Sequence, residues 1–335
     1  MKSRISKHEP LLRQPDGVPG LPGPDSPSWT GLGGTLLLIH AILAMTAVLL
    51  RRSWPPFDGL VGDSTLNAYV LSGLIMQGGL IFLPTLLIII TRRVSSGDIL
   101  GGKAKAGSLI LSLTAGIPAA VVFQGLNNLL IYGLVRSGIR LPAASAAFDA
   151  GSSLFSRPLP VLLLIIMISV LIPSLVEELM FRGVILASLT SGGATASAII
   201  LQAAAFAVFH GEPLFILPPF LAALLLALIR RNSDSLLPAI LMHISLNFSL
   251  LALAPLLPTL TVDYLSTGGN ESLSLLYASL IAAFVAAVAL VPLIVLITSQ
   301  PARRPAHARL HFWPADWKFA LAFLLLIATM IVEFN

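Results

Sequence analysis

The 335-residue sequence contains no cysteine. That excludes disulfides, thiolate nucleophiles, iron–sulfur clusters and cysteine-ligated zinc, and leaves the redox compartment unmarked. Charge is almost as scarce. Asp, Glu, Lys and Arg make up 10% of the chain against 56% for hydrophobic residues, where a soluble domain carries about a quarter charged. So few polar side chains cannot cover a water-exposed surface, and lipid is the solvent this composition fits. The mean hydropathy of +0.92 agrees. The net charge of +5 is no nucleic-acid signal, because no basic run is interleaved with aromatics. Residues 1–28, with PDGVPGLPGPDSP at their centre, lack an apolar stretch. They read as a disordered proline-rich tail and not as a signal peptide.

Beyond the tail lies a series of apolar segments, most near the roughly 20 residues that cross the hydrocarbon. Spans are expected near Leu32–Leu50, Val70–Thr91, Gly107–Val135, Leu159–Leu186, Ala196–Val208, Leu214–Ile229, Leu236–Leu257, Leu275–Thr298 and Phe319–Val332. The fifth and sixth are short and separated by HGEP, which allows a re-entrant or tilted hairpin. The expected fold is an all-α, polytopic membrane bundle of eight or nine helices. Charge sets its orientation. With the N-terminus cytoplasmic, that side receives Lys2, Arg4, Lys7, Arg13, Arg92, Arg93, Lys103, Lys105, Arg230, Arg231, Arg303, Arg304, Arg309 and Lys318. The other side receives Arg51, Arg52, Arg136, Arg140 and Arg157, so the bias favours N-in. No internal repeat suggests a transporter built from inverted halves.

Two acids lie where lipid should exclude them. Glu177 and Glu178 sit within IMISVLIPSLVEELMFRGVIL, at a depth where an ionised side chain costs about 2.5 kcal/mol or more. Arg182 comes four residues after Glu178, acid before base, the favourable order for a helical pair. Glu177 projects about 100° away and shares that arginine less easily, which leaves it as the free base. Pro173, four residues before Glu177, removes a backbone hydrogen bond and should kink or open the helix. A bundle-locking ion pair is the plain alternative reading.

His210 closes AAFAVFH, and His243 and Asn247 lie four apart on one helical face in LMHISLNF. Each alone reads as an interfacial residue or as hydrogen-bonding glue. With Glu177 they supply a base, imidazoles and donors, the inventory of water-activated amide hydrolysis. His40, Gln77, Gln124, Asn127 and Asn128 lack an acid partner in sequence and weigh less; Glu212 beside Pro213 is expected at a rim. There is no H-E-x-x-H and no G-x-S-x-G, which removes the zinc-helix and nucleophile-elbow motifs. Asp98 and Asp149 fall in loops, so a pair of intramembrane aspartates has no counterpart.

The set Glu177-Glu178-x-x-x-Arg182, Phe206-x-x-x-His210 and His243-x-x-x-Asn247 resembles the three-motif signature of the CAAX protease and bacteriocin-processing (Abi) family, the glutamic-type intramembrane proteases. The resemblance covers about Leu159 to Leu250, a quarter of the chain. It divides the sequence into a tail (1–28), N-terminal helices (29–158), a catalytic core (159–250) and C-terminal helices (251–335). It implies that Glu177 and His210 activate water, that His243 and Asn247 stabilise the oxyanion, and that Arg182 supports the glutamates. No cofactor is expected. A divalent metal such as zinc, held by Glu177, His210 and His243, is the alternative. The implied substrate is a lipidated or membrane-anchored protein or peptide in the bilayer, and no nucleic-acid partner is implied. Expected localisation is a multi-pass protein of a prokaryotic inner membrane. Outside the resemblance, the same acids and histidines could serve a proton-coupled transporter, or the chain could be a non-catalytic immunity or scaffold protein.

Overall fold

The computed structural model describes residues 29, 31–61, 65–139, 156–191, 195–211, 216–257, 269–299 and 316–334. The N-terminal tail, Arg140, Asp149, Glu212, Arg303, Arg304 and Arg309 lie outside them. The described elements are helical. In chain order they are α1 (Leu32–Ser53), α2 (Pro55–Val61), α3 (Leu66–Gly73), a π-helical stretch (Leu74–Phe82), α4 (Leu83–Thr91), α5 (Ser96–Leu100) and α6 (Ala106–Arg136). The fourth long segment comprises α7 (Leu159–Ile166), a π stretch (Met167–Leu171), α8 (Ile172–Glu178), a second π stretch (Leu179–Ile185) and α9 (Leu186–Thr190). Then come α10 (Thr195–Phe209), α11 (Leu217–Ser233), α12 (Leu236–Leu253), α13 (Gly269–Thr298) and α14 (Trp317–Phe334).

Among the described residues, six helices are long and apolar enough to cross a membrane: Leu32–Ser53, Leu66–Thr91, Ala106–Arg136, Leu159–Thr190, Leu236–Leu253 and Glu271–Thr298. The chain is an integral, multi-pass, all-α membrane protein. α10 and α11 have 15 and 17 residues. They span about 22 and 25 Å at 1.5 Å per residue, less than the roughly 30 Å hydrocarbon core.

Cross-helix contacts give the directions. Tyr69 bonds Ser169 and Gln77 bonds Glu177; both steps ascend, so the second and fourth segments run parallel. Glu178 meets His243 and Ser174 meets Asn247, so α8 and α12 are antiparallel. Thr35 meets Lys318 while Arg51 meets Glu333, which makes α1 and α14 parallel. Parallel partners therefore have the same parity in the nine-segment order, as alternate crossing requires.

Close approach depends on small residues. A Cβ on Gly116 of α6 would lie 2.5 Å from Ser245 Cβ of α12, and one on Gly34 would lie 2.8 Å from the Phe319 nitrogen. One end of the bundle is filled by Leu36, Leu37, Ile99, Ile185, Leu186, Ala198 and Leu236, all buried. Polar bonds there tie Ser188 Oγ to the Trp29 carbonyl at 2.6 Å and Gly102 N to the Asp234 carbonyl at 2.7 Å.

Candidate active site

Glu177 and Glu178 end α8, at the border of two helical geometries. Pro173 stands in the first turn of α8, directly after the π stretch Met167–Leu171, so a change of helical geometry, with no bend shown, accompanies the proline expected to disturb this span. Immediately after Glu178 the second π stretch begins. Such turns are rare and concentrate at functional sites.

Glu177, Glu178, Arg182 and His243 are 4%, 0%, 1% and 4% exposed, so each charge must be matched within the protein. Arg182 Nη1 donates to Glu178 Oε1 at 2.7 Å, and Nη2 donates to the Ala223 carbonyl of α11 at 3.2 Å. The guanidinium carbon lies 4.6 Å from the Phe206 ring centroid, within cation–π range. Glu178 Oε1 also accepts from His243 Nδ1 at 2.9 Å. Glu178 therefore does more than neutralise Arg182: it fixes the orientation of the α12 histidine. Holding Nδ1–H in this way turns His243 Nε2 toward Glu177, whose Oε2 is 3.9 Å away. That is too long for a direct hydrogen bond and short enough for one oxygen to contact both groups.

Glu177 Oε1 accepts from Gln77 Nε2 at 3.0 Å. Gln77 has no acid partner near it in sequence; the fold supplies one from 100 residues further along the chain. His40, similarly isolated in its own segment, bonds the Leu80 carbonyl through Nδ1 at 3.0 Å, and its ring lies 4.7 Å from Phe209. Gln124 donates to Asn128 at 3.3 Å along α6.

His210 stands one residue beyond α10, exposed, with Nδ1 donating to the Phe206 carbonyl at 2.8 Å. Its ring packs 4.4 Å from the Phe206 ring and lies within Coulombic reach of Glu177 and His243. Phe206 thus bridges Arg182 and His210, a role that only the three-dimensional arrangement reveals. Half-buried Asn247 donates from Nδ2 to Ser174 Oγ at 3.3 Å. The arrangement is a row, Arg182–Glu178–His243–Glu177, buried throughout and closed by half-buried Gln77, with His210 at the exposed end of α10. Among the described residues no group of three or more His, Asp or Glu side chains that could hold a metal ion is found.

Acids, imidazoles and amides thus converge within the membrane bundle, the side-chain types that general acid–base chemistry draws on. Residues 159–249 match the family model for type II CAAX prenyl endopeptidase Rce1-like proteins. The matched stretch, about a quarter of the chain, is thus similar to a family of membrane endopeptidases. No curated protein and no solved structure matches the chain.

Proposed function

We propose that the protein is a glutamic-type intramembrane endopeptidase in which Glu177 and His210 activate a water molecule for attack on a peptide bond. The observation that carries the reading is the unequal partnering of the two glutamates. Glu178 is saturated on one oxygen by Arg182 and His243, whereas Glu177 is held by one neutral amide and faces the His243 imidazole across 3.9 Å. Glu178 Oε2 also has no hydrogen-bond partner among the described residues, but the Glu178 charge is already matched by Arg182, which leaves Glu177 to take a proton from water. Asn247 would donate to the developing oxyanion through its amide, and His243, whose Nδ1–H is given to Glu178, would join it through Nε2–H in the imidazolium form, a contribution of about 3–4 kcal/mol per donor in enzymes where it has been removed.

The substrate class consistent with the matched family is a membrane-associated protein carrying a prenylated C-terminal CAAX sequence. Glu177→Gln should remove cleavage of an internally quenched, farnesylated CAAX peptide while leaving membrane insertion and thermal stability intact; full activity in that variant would sink the assignment. If zinc takes no part, activity should survive exhaustive chelation. Activity that is lost with the chelator and restored by one equivalent of zinc would instead support metal-assisted hydrolysis. Comparing protein C-termini in membranes bearing wild type or Glu177→Gln would identify the physiological substrates.

A further inference from the structure

The matched domain starts at residue 159, yet one of the contacts to Glu177 comes from the segment before α4. We infer that Gln77 is a positioning residue of the reaction, supplied to the site by the N-terminal helices through the π-helical stretch Leu74–Phe82. This inference rests on Glu177 being the base.

Four observations support it. The Gln77 amide donates to Glu177 Oε1 at 3.0 Å, so one carboxylate oxygen is fixed and the other, Oε2, is turned to the His243 side. Its own Oε1 is buried without a partner among the described residues, an arrangement costly for a residue kept only for packing and one that leaves an acceptor inside the polar row. Gln77 also sits in a π-helical stretch, and π turns are typical of functional sites. That stretch is braced from outside. Pro84, four residues beyond Leu80, has no N–H to give the Leu80 carbonyl in α-helical register, and His40 Nδ1 of α1 supplies a donor at 3.0 Å. The same imidazole packs on Phe209, the neighbour of His210. α1 therefore touches both the stretch that carries Gln77 and the helix end that carries His210.

A donor to a catalytic carboxylate acts on the orientation and charge of the base, not on substrate affinity, so the two kinetic constants should separate. Gln77→Met keeps the side-chain length and removes the donor. On the farnesylated quenched peptide its kcat should fall about 10- to 100-fold, the scale of a hydrogen bond to a charged group. KM should stay within about twofold and the melting temperature should not change. Gln77→Asn, whose amide is one methylene short of Glu177, should behave the same and replaces the methionine variant if that one fails to accumulate. Met76→Ala, an exposed neighbour in the same stretch, serves as a control expected to match wild type. The three variants should rank in the same order for Glu177-dependent C-terminal trimming in membranes, which requires no chosen peptide. A Gln77→Met enzyme with wild-type kcat, or one whose loss tracks the amount of folded protein, overturns the inference. Glu177→Gln is run beside it: if that variant is inactive while Gln77→Met is unaffected, only the inference fails; if Glu177→Gln is active, the proposed function itself fails.

Discussion

Arg182 offers the sharpest test of how the site is held together. Its guanidinium is buried, bonds Glu178 at 2.7 Å and the Ala223 carbonyl at 3.2 Å, and stacks 4.6 Å from Phe206. Arg182→Met keeps much of the volume and removes all three interactions. What remains is Glu178, fully buried, with a histidine as its only other partner among the described residues. Leaving one member of a buried pair unmatched costs about 3–5 kcal/mol, and the lost cation–π contact adds about 1–2 kcal/mol. Neutral hydrogen bonds between membrane helices average about 0.6 kcal/mol, so the two accounts of this contact differ several-fold. Unfolding free energies in mixed micelles of rising SDS fraction should be measured for Arg182→Met, Glu178→Gln and the double variant. Because the damage comes from stranding a charge, the double variant should be less destabilised than the sum of the singles by at least about 2 kcal/mol. Single-variant costs that add within about 0.5 kcal/mol would refute the view that this pair is a charge neutralised in place.

Helix packing and the oxyanion donors can be tested in the same way. Gly116→Val places a side chain where even a Cβ would meet Ser245, and should lower the melting temperature and the yield of folded protein, whereas the same substitution at Gly107, which has open space around it, should be near neutral. Asn247→Ala should reduce kcat by about 10²–10³-fold, the cost of losing one oxyanion donor. Ser174→Ala, which only releases the Asn247 amide, should reduce kcat by less and leave KM unchanged; a Ser174→Ala loss equal to that of Asn247→Ala would assign the serine a direct role.

The local geometry of the site was readable from sequence and the long-range geometry was not. Glu178 and Arg182 are four apart on one segment, and the helical period alone brings them together. The membrane class emerges in the same way from composition and from apolar segment length. Gln77 and His40 could not be read, because each is a single polar residue in an apolar segment and its partner lies in another helix, 100 and 40 residues away. The assumption of regular α-helix also hid the three π stretches, which alter the direction of every side chain beyond them. What joins the two glutamates was equally out of reach of the sequence, because the linking side chain, His243, lies 65 residues beyond Glu178. His243 bonds Glu178 through Nδ1 at 2.9 Å and faces Glu177 through Nε2 across 3.9 Å.

The parallel pairing of α1 with α14 bears on how the protein is made. α1 leaves the ribosome early, and the face it presents to Phe319, Ala322 and Leu326 has no partner until nearly all the described chain has been synthesised. Until then Thr35 lacks Lys318 and Arg51 lacks Glu333, and the helix that braces Gln77 through His40 is itself without support on that side. The packing of α1 is therefore completed only with the late insertion of α14, and a chain halted before Trp317 would hold this side of α1 against lipid instead of protein.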